Sequence, residues 1–222
     1  MRALWLVAAL LVAPMAQADE QCHLAVGRGW PPATENYGTA VEKLFAGENT
    51  AALSYTLLPK TGAESGLLLI PNTNPGDDWT LRYAEADERV HVWGPTKLEL
   101  RTEQTPNFNE VPIPADVATR LVHDWHRALA VAAPESSTAP FSEDDVWLFV
   151  VGDPGSRPRQ ALRVSGLKPT CELGEQLRQQ IDLLIEASDE GAEKRQKRWR
   201  QLGESLDRMR TTVDAMSAAA AQ

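Results

Sequence analysis

Leu53-Ser54-Tyr55-Thr56-Leu57 and, some twenty residues on, Trp79-Thr80-Leu81-Arg82-Tyr83 alternate large apolar with polar residues. A period of two places successive side chains on opposite faces of an extended chain, so both segments read as half-buried strands. Val90 and Val92 flank His91, and Leu98 and Leu100 flank Glu99, in the same rhythm, while Gly66 to Ile70 is apolar on both faces. The connectors are short and rich in Gly, Pro, Asn and Asp, which suits antiparallel neighbours. These segments predict a five-strand meander.

Helical periods lie on either side. Thr34 to Ala46 carries Tyr37, Val41, Leu44 and Phe45 on one side and stops at Gly47. Pro106 to Pro114 reads as a proline-rich approach to a helix over Ala115 to Ala132, whose stripe is Val117, Leu121, Trp125, Ala128 and Ala132. Val146 to Val151 is apolar throughout, as a central strand should be, and Gln160 to Val164 reads as its hairpin partner. A third helix runs from about Cys171 to Ala187, with Leu173, Leu177, Ile181, Leu184 and Ile185 on its inner face. The fold class is α+β, with an antiparallel sheet of about seven strands, two or three helices packed on it, and a charged amphipathic helix at the C-terminus.

In that last segment, from residue 189, Trp199, Leu202, Leu206, Met209, Val213 and Met216 recur at spacings of 3, 4, 3, 4 and 3. Such a seam needs a partner surface: its own domain, a second copy of the chain or another protein. Trp199, Leu202, Leu206, Met209 and Val213 are therefore the candidate partner-binding residues, and a homo-oligomer through this helix is one expected outcome.

Met1 to Ala18 has a single cation, Arg2, an apolar run from Leu4 to Met15, and Ala16-Gln17-Ala18 before a cleavage site, the pattern of a secretory leader. The run is about a dozen residues where a spanning helix needs about 20. The expected organisation is a cleaved leader over 1–18, one α+β domain over 19–188 and the terminal helix over 189–222, in a periplasmic or secreted protein with no transmembrane span. Losing the leader, with one cation and no acid, takes the formal charge from −9 to −10, which argues against nucleic acid as a partner. In an oxidising compartment the two cysteines, Cys22 and Cys171, form one disulfide closing a loop of about 150 residues, worth roughly 4 to 5 kcal/mol of chain entropy.

Catalytic signatures are weak. His123 and His126 share a helix at i, i+3, without the i, i+4 spacing and intervening glutamate of zinc-protease helices. His91 is expected on the solvent face of the meander near Arg82 and Glu99. Acids cluster at loop ends, Asp77-Asp78 and Glu143-Asp144-Asp145, but the first departs from a calcium loop at the glycine position. The sequence holds no Gly-x-Gly-x-x-Gly, no Walker-type loop and no Gly-x-Ser-x-Gly elbow. No cofactor, metal or catalytic residue is assigned. The expectation is an exported, non-catalytic protein-binding domain, for example in inhibition, immunity or envelope assembly. The competing expectation is an exported hydrolase that uses His91 or the His123/His126 pair with loop carboxylates.

Overall fold

The computed structural model describes residues 34–94, 97–132, 145–152, 161–167 and 171–220. Helix α1 (Thr34–Ala46) is followed by strands β1 (Leu53–Leu58), β2 (Ser65–Ile70), β3 (Trp79–Glu85), β4 (His91–Trp93), β5 (Leu98–Leu100) and β6 (Asn107–Ile113). Then come α2 (Ala115–Ala132), the pair β7 (Val146–Gly152) and β8 (Ala161–Leu167), α3 (Glu172–Asp189) and α4 (Ala192–Ala220). Six strands form an antiparallel sheet in the order β6-β3-β2-β1-β7-β8. The class is α+β, but the meander differs from the expected one. Strands β4 and β5 leave the sheet as a separate two-stranded ribbon, and β6 pairs with β3 in their place. The segment read as a proline-rich approach is thus a strand.

Alternation sorts the side chains into two cores. Tyr55 faces Leu67 on one side and Phe149 on the other, and Leu53 lies between Leu69 and Val151. These residues, with Leu81, Val111, Ile113 and Trp147, meet the apolar stripes of α2, α3 and α4 in one cluster. Trp125 of α2 is fully buried and edge-on to Phe149, and its indole Nε1 donates to Gln180 Oε1 of α3 at 2.6 Å. Gln180 in turn donates to Ser205 of α4 at 3.3 Å, so the polar groups that cross this core are joined to one another.

The opposite sheet face carries Leu58, Leu68, Ala84 and Val146 and packs against Tyr37, Val41 and Phe45 of α1 and Val90 beside the ribbon. Gly66 permits that approach, because a Cβ there would lie 2.8 Å from the Tyr55 carbonyl and 3.0 Å from the Phe45 ring. Helix α1 stops at Gly47, whose φ of 57° is cheap only for glycine. Its last carbonyls, Phe45 O and Ala46 O, accept from Arg82 Nη1 of β3 at 3.2 and 3.5 Å.

Helix α4 packs along α2 and α3. Trp199, Leu202, Leu206, Met209 and Val213 are all buried in the same core as the sheet. Ionic contacts flank the seam: Arg120–Asp207 at 2.7 Å, Arg127–Asp214 at 2.6 Å and Arg210–Asp124 at 3.1 Å on the α2 side, and Arg198 with Glu186 and Glu190 on the α3 side. This corrects the expectation of a docking edge. The five candidate partner-binding residues meet their own domain, and the same burial removes the seam as a surface for a second copy. Among the described residues no helix is long and apolar enough to cross a membrane.

Candidate functional site

The titratable groups singled out in the sequence lie on two sides of the sheet. His91 belongs to the ribbon, opposite Leu100, and is buried with its ring 4.7 Å from that of Tyr37. It does not stand on the solvent face beside Arg82 and Glu99. Two consecutive residues, Val90 and His91, are both buried because the ribbon folds over the sheet instead of extending it.

Beneath this ribbon lies Glu64, a fully buried carboxylate with no motif in the sequence to announce it. It accepts from the Tyr37 hydroxyl, from Val90 N at 2.8 Å and from His91 N at 3.4 Å. Its own carbonyl accepts from Ala86 N. Helix α1, the start of β2 and the ribbon therefore converge on one side chain. Burial, followed by the hydrogen bond and charge of Glu64, pushes the Tyr37 phenol far above its ordinary pKa. Burial also holds the His91 imidazole below its ordinary pKa, as does the nearby Arg89 charge, while Glu64 opposes both. Arg89 itself donates to the carbonyls of Lys60 and Pro59, which anchors the connector that leads into the ribbon. The arrangement joins three elements and faces inward.

On the other side of the sheet, His123 and His126 ride on α2. His123 is exposed and its Nδ1 lies 3.1 Å from Asp124 Oδ1; His126 is half-buried. The buried Asp124 also takes Arg120 at 3.4 Å and Arg210 at 3.1 Å, so its charge is held by cations of α2 and α4. His91 lies against Tyr37 of α1 on one side of the sheet and the His123/His126 pair rides on α2 on the other, so they do not converge. Two of the described loop acids are engaged within the fold: Asp77 accepts from Asn74 Nδ2 at 3.1 Å and Asp145 from Lys60 N at 2.8 Å. Among the described residues no group of three His, Cys, Asp or Glu side chains is placed to hold a metal ion. Cys171 precedes α3, half-buried against the main core. Cys22 and the leader lie outside the described residues, as do Glu143 and Asp144.

The exposed surface offers something different at β6, a terminal strand of the sheet. Phe108 is 43% exposed, the most exposed large apolar side chain among the described residues. It is held in place: the Arg82 guanidinium carbon lies 4.7 Å from its ring centroid, and Arg82 pairs with Glu110 two residues along β6. Asn107, Asn109 and Glu110 are exposed beside it, and nothing among the described residues pairs with the outer edge of this strand. Comparison with protein-family models, with curated proteins and with solved structures finds no match. The site's chemistry therefore rests on its own residues. Sequence reasoning missed Phe108 because β6 itself was missed; the alternation of Val111 and Ile113 across Pro112 was the signal available.

Proposed function

We propose that the chain is an exported, non-catalytic protein-binding domain whose binding surface is the β3–β6 margin of the sheet, with Phe108 as its anchor. The leader-like segment over 1–18 supports export, with function in the periplasm or outside the cell, and supports a Cys22–Cys171 disulfide in the mature chain. The observation that carries the binding reading is an exposed phenylalanine immobilised by a half-buried arginine on an unpaired strand edge. Aromatic and arginine side chains dominate the energetics of protein interfaces, and a pre-ordered pair avoids the entropy of freezing them on binding. An open edge adds main-chain donors and acceptors for an extended partner segment, while Pro112, which has no N–H, limits indiscriminate edge pairing. The partner is a protein that lays an extended segment along Asn107 to Val111 with an apolar residue against Phe108. An inhibitor, an immunity protein or an assembly factor of the envelope would use such a surface.

The test is affinity capture from envelope extract with the mature chain and its Phe108→Ala variant in parallel. A protein retained by the parent and lost by the variant, at unchanged melting temperature, supports the assignment. Equal retention by both refutes it.

A further inference from the structure

A cleft of about 770 Å³ opens between the β2–β3 loop and the first turns of α2, away from Phe108 and independent of the protein-binding reading. Trp79 forms part of its wall; the indole is half-buried, packed on the main core and also lining the cleft. Asn74, Asp116, Arg120 and His123 complete the polar lining. We propose that this cleft binds a carbohydrate, with a pyranose ring stacked on the indole of Trp79.

Several polar groups of the lining keep hydrogen-bonding capacity beyond their contacts within the chain. The loop is ordered by its own side chains: Asn72 Oδ1 accepts from Asn74 N at 3.1 Å, and Asn74 Nδ2 donates to Asp77 at 3.1 Å. That leaves the other atom of the amide, Oδ1, with acceptor capacity. Arg120 directs Nε to Asp124 at 3.4 Å and Nη2 to Asp207 at 2.7 Å, so its head is turned toward α4 while the residue contributes to the cleft wall. His123 directs Nδ1 to Asp124 at 3.1 Å, which leaves Nε2, and the Asp116 carboxylate has no partner among the described residues. Donor and acceptor side chains thus share the cleft lining with a half-buried indole.

A sugar suits that mixture of polar groups and indole, because each hydroxyl both donates and accepts and the ring has an apolar C–H face. Other ligand classes fit less well. An anion would meet Asp116 and an arginine already paired with two carboxylates, and a cation would meet that same arginine. The size lies within the ordinary range for small-ligand sites, roughly 300 to 1,000 Å³.

Isothermal titration of the full mature chain with chitotetraose and with cellotetraose tests the proposal. Saturable binding of at least one tetrasaccharide, with a Kd of about 1 mM or tighter, is expected. Trp79→Ala should weaken it by about tenfold or more, and Asn74→Ala by several-fold. Asn74 is exposed, so its variant retains the parent melting temperature and carries the test if Trp79→Ala loses stability. Phe108→Ala should leave sugar binding unchanged, which separates this site from the protein-binding surface. No saturable binding of either tetrasaccharide, or binding indifferent to both Trp79→Ala and Asn74→Ala, overturns the proposal.

Discussion

Replacing Leu206 by alanine tests whether the terminal helix is part of the core or an appendage. Leu206 has no exposed surface and sits in the cluster that joins α4 to α2, α3 and the sheet. Truncation removes three carbons from water-free packing and leaves a cavity that helices tied by Arg120–Asp207 and Arg127–Asp214 cannot easily close. For a leucine in such a setting the transfer and cavity contributions together cost about 2 to 5 kcal/mol. That is a large fraction of the roughly 5 to 15 kcal/mol that holds a domain folded. With a urea slope of about 2 kcal/mol per molar, the unfolding midpoint should fall by about 1 to 2.5 M at unchanged slope. Glu204→Ala, exposed two residues earlier, should move stability by no more than about 0.5 kcal/mol. Circular dichroism during urea titration reads both. A Leu206→Ala loss below about 1 kcal/mol would show that α4 does not pack on its domain in solution.

Three further outcomes can be measured. Trp125→Phe keeps most of the ring but strips Gln180 of its 2.6 Å donor, and the stranded acceptor should cost about 1 to 3 kcal/mol in urea unfolding. Because the His91 pKa lies below its unfolded value, the unfolded chain binds more protons between the folded pKa and about 6.5, so stability should fall as pH drops through that window. His91→Phe should flatten the fall relative to the parent, and an identical pH slope in both would show that His91 is not held neutral. If the proposed export holds, the intact mass of the protein recovered from producing cells should correspond to a chain beginning at Asp19 that takes up no thiol label before reduction; a chain beginning at Met1, or one labelled twice, would contradict the leader and the bridge respectively.

Where local period and burial agree, the fold was legible. Strands β1 and β3 alternate, helices α2 and α3 recur on one buried face, β7 is apolar throughout and buried on both faces, and their boundaries follow those patterns closely. Strand β6 was hidden because a terminal strand with one open face needs few apolar residues: only Val111 and Ile113 of its seven are buried, and Pro106 and Pro112 imitate a loop. Pairing partners are not encoded in period at all, so the departure of β4 and β5 from the sheet could not be read from Val90, Val92, Leu98 and Leu100. The seam of α4 announced that it needed burial without saying where. Glu64 left no trace, since what makes it a junction is its distance in sequence from Tyr37 and Val90.

The central claim is that the margin of β6 receives a partner protein, and site-specific photo-crosslinking in cells that produce the chain tests it most directly. A photoreactive phenylalanine analogue at position 108 should yield one dominant crosslinked protein. The same analogue at position 131, an exposed valine on α2, should not yield it. Capture of the same protein from both positions, or of none from position 108, would contradict the claim.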